Sequence, residues 1–233
     1  MPPLFPSNEE LIERCWARLR RAEYLPLVKE MAEILVSRPN FSEGFFAVGY
    51  AQMKLGDLPT AARHFSECVR LNPDSIPVYR RYFPVLWSLN RKDELQGALD
   101  DLLRNNVSGP DADFLRGSWL HRLGRSLEAR ALLSRAITAT PDRGDLHCIL
   151  GMAALEDGDG DVGRASLRSA IMLEPATAEA YQSLGVSLEQ CLDLPKARRI
   201  LRLGLLLGNQ QCAFPLTRVL KGLNRFEESV ALA

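Results

Sequence analysis

The sequence has almost none of the features that announce a location or a chemistry. Its N-terminus, MPPLFPSNEE, carries neither a basic segment nor an apolar core, so it does not read as a secretory signal. The leucine-rich stretch Leu203–Leu207 falls far short of the ~20 apolar residues needed to span a bilayer. Charge of one sign is missing too. Lysine plus arginine and aspartate plus glutamate both number 29, so no global field draws the chain to nucleic acid or to an anionic membrane. The five cysteines, Cys15, Cys68, Cys148, Cys191 and Cys212, are odd in number and never in C-x-x-C spacing. That pattern predicts free, buried thiols in a reducing compartment, hence a cytoplasmic protein without membrane insertion.

Catalytic signatures are equally scarce. No G-x-S-x-G stands in the sequence. The histidines, His64, His121 and His147, are far apart, and none has a partner at metal-ligand or catalytic spacing. His64 is expected on the solvated side of a helix. The run Asp157-Gly158-Asp159-Gly160-Asp161 begins like a calcium loop, but Val162 stands where the loop needs glycine and Arg168 where it needs a bidentate glutamate. Gly158-x-Gly160-x-x-Gly163 fits a dinucleotide fingerprint in form only, since no strand precedes it and its acids would repel a pyrophosphate. The expectation is therefore no enzyme, no cofactor and no metal.

What the chain does have is a repeat. Apolar residues make up 46% and charged residues 25% of its 233 residues, ordinary for a folded chain of one or two domains. Pro39, Pro73, Pro141 and Pro175 each follow an apolar helical segment, at intervals of 34, 68 and 34. Cut at 34, the chain gives units starting at Asn8, Ser42, Ile76, Pro110, Gly144 and Ala178, and a partial one near Gln210, two residues early. The columns then align. A first helix carries a small residue at Cys15, Gly49, Gly117, Gly151 and Gly185. The turn holds Gly56, Asn90, Gly124, Gly158 and Asn224, which suit a left-handed helix end. A second helix has a small residue at Ala61, Ala129, Gly163 and Ala197. A large one follows at Met31, Phe65, Leu99, Leu133, Leu167 and Leu201, and a small one again at Cys68, Ala136, Ala170 and Gly204. Small residues let two antiparallel helices approach, and large ones fill the space beside them. A helix of about 14 residues is only ~21 Å long, so such hairpins must share a core with their neighbours.

Local signals agree. Ser7 and Glu10 form a capping box, and Asp57-Leu58-Pro59 and Asp193-Leu194-Pro195 each place an aspartate cap before an early proline. The unit from Ile76 to Gly109 departs most: Phe83, Leu95 and Leu102 fill its small columns, and Pro84 falls inside its first helix. A kink there, with helices pushed apart, is expected.

These columns resemble the tetratricopeptide repeat, best in Ser42–Ser75 and in Ala178–Leu207, and in register over nearly all of the chain from Asn8 onward. The resemblance implies an all-α solenoid of antiparallel helix pairs wound into a right-handed superhelix. Residues 1–7 would be an extension and 8–233 a single array. It also implies a concave groove, lined by the first helices, that binds peptides or proteins. The inward positions would carry Trp16 and Arg20, then Phe46, Tyr50 and Met53, then Arg80, Arg81 and Trp87, then Phe114, His121 and Arg122. This aromatic and cationic face suits a partner with apolar anchors and some acidic character. Further along come Cys148, Met152, Leu155, Glu156, Gln182, Glu189 and Gln190, which are less aromatic and more acidic. Some members of the family clamp a terminal carboxylate with a lysine and an asparagine; the corresponding places here hold Phe46 and Tyr50.

The leading expectation is thus a non-enzymatic interaction scaffold. The alternative is the N-terminal repeat region of a larger enzyme, such as a glycosyltransferase or sulfotransferase. Its motive is that the sequence stops at Ala233 within a second helix, leaving Phe226, Val230 and Leu232 partly uncovered. Self-association through that uncapped end is a further expectation. A nucleic-acid-binding repeat is disfavoured by the neutral charge.

Overall fold

The computed structural model describes residues 6–105 and 107–230, and all the regular structure among them is helical. The chain divides at Val107/Ser108 into two compact units. The first holds α1 (Asn8–Arg20), α2 (Tyr24–Ser37), α3 (Ser42–Leu55), α4 (Leu58–Leu71), α5 (Ile76–Ser88) and α6 (Lys92–Arg104). The second holds α7 (Pro110–Arg122), α8 (Ser126–Ala139), α9 (Gly144–Glu156), α10 (Gly160–Leu173), α11 (Ala178–Gln190) and α12 (Leu194–Leu206), then a 3-10 turn (Gln210–Cys212), α13 (Ala213–Gly222) and α14 (Phe226–Val230). Every 34-residue unit is a helix hairpin, and each unit's first residue opens a helix. The fold is an α-solenoid of antiparallel pairs.

The caps form as the local sequence predicts. Ser7 and Glu10 make both bonds of a capping box. Asp57, Asp159 and Asp193 accept the amides of Thr60, Val162 and Lys196. Asp159 therefore caps a helix, and it also pairs with Arg130, as does Asp157. The acidic run thus serves the turn between α9 and α10. Ser7 is the innermost residue of the extension; residues 1–5 lie outside the described residues.

The small and large columns turn out to be one contact. A Cβ added at Gly117 would meet Leu133 Cγ at 2.7 Å, and one at Gly151 would meet Leu167 Cγ at 2.6 Å. Gly49 faces Phe65 in the same way, and Gly185 faces Leu201. Phe65, Leu133, Leu167 and Leu201 are fully buried, each contributing ~1.5–3 kcal/mol through burial. The tightest crossing is reciprocal: a Cβ on Gly151 would lie 3.0 Å from the Gly163 carbonyl oxygen, and one on Gly163 would lie 3.0 Å from that of Gly151. Backbone cannot yield as a side-chain end can. Gly151→Val is therefore expected to cost ~3 kcal/mol or more, read as a lower thermal midpoint by circular dichroism. Gly97, which has open space around it, should accept alanine without loss.

The third hairpin solves the packing differently. Phe83, Leu95, Leu99 and Leu102 are all fully buried, and the α5 and α6 backbones stand further apart than those of α3 and α4. Large side chains occupy the crossing where the other hairpins have small ones. α5 runs through Pro84 as one helix. The proline is exposed, so the hydrogen bond it removes lies on the side open to water, and the expected kink does not interrupt the helix.

The turns hold the least expected feature. Backbone φ is positive in the same column of every hairpin: Ala22 (57°), Gly56 (85°), Asn90 (55°), Gly124 (77°), Gly158 (84°), Leu192 (60°) and Asn224 (58°). Glycine and asparagine tolerate this conformation; alanine and leucine do not. Leu192 is also 81% exposed, so its side chain contributes little packing. Leu192→Gly is expected to stabilise the protein by ~0.5–1 kcal/mol, the relief of left-handed strain less the cost of glycine's freedom. Chemical denaturation measures it; a loss of stability would show that Leu192 packs in a way its exposure denies.

Candidate functional site

In the first unit, α1 and α3 bring aromatic side chains together on one face. The ring of Trp16, 43% exposed, has its centroid 6.1 Å from that of Phe46. Phe46 in turn stacks on Tyr50 at 6.5 Å and 23°. The row rests on the core, because Phe46 also contacts buried Phe65 at 6.0 Å. Four residues separate Phe46 from Tyr50, one helical turn, so the same spacing that buries Gly49 and Val48 leaves these rings on the opposite edge. Aromatic pairs of this geometry hold one another in place.

Two cations border Tyr50. The Arg81 guanidinium, from α5, lies 5.5 Å from the ring centroid, and Lys54 Nζ lies at the same distance. A similar pairing sets Lys92 Nζ 5.6 Å from the Trp87 ring. The site is a half-exposed aromatic row with a positive edge. Trp16, Phe46, Tyr50 and Arg81 form its continuous part. Met53 is half-buried and Arg80 exposed; Trp87, half-buried, belongs to its own pairing with Lys92. Lys54 and Lys92 were not singled out by sequence pattern, although each lies within five residues of the ring it meets.

His64 corrects the expectation of a solvated histidine. It is half-buried, its Nδ1 lies 3.0 Å from the Thr60 carbonyl oxygen, and its ring meets Phe45 at 5.8 Å. Burial, the largest influence, pushes its pKa below the ordinary histidine value.

In the second unit, Phe114 is half-buried and carries Arg143 over its ring at 4.7 Å. Arg143 is itself held by Asp111 at 2.9 Å and Asp145 at 2.7 Å. Phe114 is thus a covered ring in place of the open anchor its position suggested. His121 Nδ1 lies 3.0 Å from Glu156 Oε2, which also accepts the Ser126 hydroxyl at 2.8 Å. His121, Met152, Leu155, Glu156, Gln182 and Gln190 line a shallow groove of about 440 Å³ together with Val186. Cys148 does not join them. It is buried with Tyr181 and Leu184 of α11, because the neighbouring hairpin covers it. Glu189 is taken up by Arg218.

Four of the five thiols are enclosed. Cys15, Cys68, Cys148 and Cys212 are buried and Cys191 is exposed. Burial pushes Cys15 up to about 11 and Cys68 and Cys148 up to about 12. Alkylation of the native protein at neutral pH should therefore consume Cys191 quickly and the other four only after denaturation. Rapid reaction of a second thiol would contradict that burial. Among the described residues no cluster of His, Cys, Asp or Glu has the arrangement to hold a metal, and no helix is long and apolar enough to cross a membrane.

This geometry defines a helical-repeat protein with a half-exposed aromatic row. A family model described as tetratricopeptide repeat matches residues 83–143. Solved structures of such proteins share the fold. PilW, a widely conserved type IV pilus biogenesis factor, aligns at a TM-score of 0.73 with 15% identity over 82% of this chain and 90% of its own. PilF of Pseudomonas aeruginosa aligns at 0.67 with 15% identity over 82% and 88%. YrrB, a TPR protein with an unusual peptide-binding site, aligns at 0.59 with 15% identity over 78% and 95%. No curated protein matches the sequence. Residues 83–143 thus match the tetratricopeptide repeat, and the helix-pair fold is the one these solved structures share.

Proposed function

We propose that the protein is a non-enzymatic scaffold that captures a peptide or protein segment on the aromatic row of its first unit. The observation that carries this reading is the chain of contacts Trp16–Phe46–Tyr50–Arg81 on one face. Tryptophan, tyrosine and arginine dominate binding hot spots, and half-exposed rings backed by a rigid core lose little entropy on contact. Arg81 and Lys54 at the edge favour a segment with an acidic residue beside its apolar anchor. Met53, Arg80 and Trp87, of the same unit, belong to the proposed site; Phe114, under Arg143, and His121, beside Glu156, do not. YrrB supports the reading by analogy of fold alone. The 34-residue register passes Val107/Ser108 without a break, which supports residues 8–233 working as one array. Scattered free thiols, four of them buried, support a reducing compartment, the cytoplasm.

The test is a random peptide library panned on the full chain. Enriched peptides should combine an aromatic or leucine anchor with nearby acids, and should lose their enrichment on a Trp16→Ala/Tyr50→Ala chain. Equal recovery on both chains would reject the aromatic row as the site.

A further inference from the structure

The arginines of the second unit are mostly spoken for. Arg130, Arg135, Arg143, Arg164 and Arg218 each hold a carboxylate. α12 carries three that are not. Arg198, Arg199 and Arg202 make no ion pair among the described residues, although Arg198 and Arg202 are one turn apart on the same helix, where like charges repel. They border a groove of about 660 Å³ that also takes in Leu203, Leu206, Leu223 and Arg225, the last paired with Glu228. A second depression of about 380 Å³ continues from Arg198 and Arg202 past Leu206 to Leu216 and Leu220 of α13. Leu206 is 76% exposed and Leu203 41%. The surface therefore sets three arginines without carboxylates beside exposed leucines, in a chain whose total charge is zero.

We propose that this groove, formed by α12, α13 and α14, is a second docking site, and that its occupant is an acidic amphipathic helix of a partner protein. Three arginines without carboxylates call for several acids at once. The leucines call for apolar side chains a turn apart, the pattern an amphipathic helix lays into a groove. A nucleic-acid backbone supplies the negative charge but nothing for the leucines. An anionic membrane supplies both, yet Glu228, which lines the second depression, would face its headgroups. This site is separate in residues from the aromatic row and does not depend on it.

The test uses the full chain and a labelled synthetic helix of about 18 residues, ~27 Å long, with leucine at i, i+3, i+4 and i+7 and glutamate on the flanks, read by fluorescence anisotropy. A scrambled peptide of the same composition is the control, and vesicles of phosphatidylserine and phosphatidylcholine are the second arm. The patterned helix should bind at least about tenfold more tightly than the scrambled one, and binding should weaken as salt is added. Arg198→Glu/Arg202→Glu should weaken it about tenfold or more, while Trp16→Ala/Tyr50→Ala leaves it unchanged. Leu206→Ser, at a side chain too exposed to matter for folding, should weaken it several-fold and decides the matter if the charge reversal perturbs helix content. Equal binding of patterned and scrambled peptides would overturn the proposal. So would unchanged affinity in both groove variants, or binding to the vesicles without binding to the peptide.

Discussion

Peptide capture by a Trp16→Ala/Tyr50→Ala chain is expected to be about a hundredfold weaker or worse than by the native protein, with helix content unchanged. The size follows from what the two rings do. Each presents a large, half-exposed surface held by Phe46 between them, and truncating a hot-spot aromatic costs ~2–4 kcal/mol of binding. The effects will not simply add, because both rings touch Phe46 and the loss of either loosens it. Stability should hardly change. Trp16 is 43% exposed and Tyr50 lies outside the buried core, whereas Phe65 beneath them is fully buried. Arg81→Ala should have a smaller effect, seen mostly at low salt, since its contribution is a cation over a ring and a screened charge. Isothermal titration with a peptide enriched on the native chain separates these cases. Unaltered affinity in the double variant would move the site elsewhere.

Asp113→Ala is expected to be the most damaging single change of a charged residue, at ~3–5 kcal/mol. Asp113 and Arg116 are 3% and 4% exposed, one turn apart on α7. The carboxylate takes the Arg135 guanidinium in a bidentate grip, with Nε to Oδ2 at 2.6 Å, and lies 3.6 Å from Arg116 Nη1. Its removal takes away the negative charge that a buried guanidinium was packed against. Arg135→Ala should cost far less, because that side chain is 62% exposed and water replaces its partner. A double Asp113→Leu/Arg116→Met chain should recover much of the loss, since an apolar pair of similar bulk avoids the desolvation altogether. Urea denaturation gives the comparison directly. If Asp113→Ala and Arg135→Ala cost the same, the burial of Asp113 contributes nothing.

The hairpins and their core are legible in the sequence because packing leaves a mark at fixed intervals. Gly151 opposite Leu167 and Gly185 opposite Leu201 are the same contact one period apart, and only small-against-large satisfies it. The turn column was legible where glycine or asparagine occupies it. At Ala22 and Leu192 it was not, since neither residue type suggests a left-handed turn, and the fold imposes one at a local cost. Side chains at the edge of the core were harder to place. Cys148 and Met152 sit one turn apart on the same expected face, yet α11 covers the first and leaves the second beside the groove. Phe114 was expected to be open, and Arg143, from α9's own N-terminal cap, lies over it. Asp113 and Arg116 look in sequence like an ordinary solvated pair, and only the neighbouring helix makes them buried. Phe226 is 59% exposed; the side chain of Val230 and all of Leu232 lie outside the described residues.

The central claim, that the aromatic row receives the partner, is tested most directly by photo-crosslinking. Benzoylphenylalanine is placed at Tyr50 in one chain and, in another, at Met172, which is 82% exposed on α10. Each chain is irradiated with a library-selected peptide. The account predicts a crosslinked product from position 50, competed away by unlabelled peptide, and none from position 172. A product from position 172 with none from position 50 would contradict it.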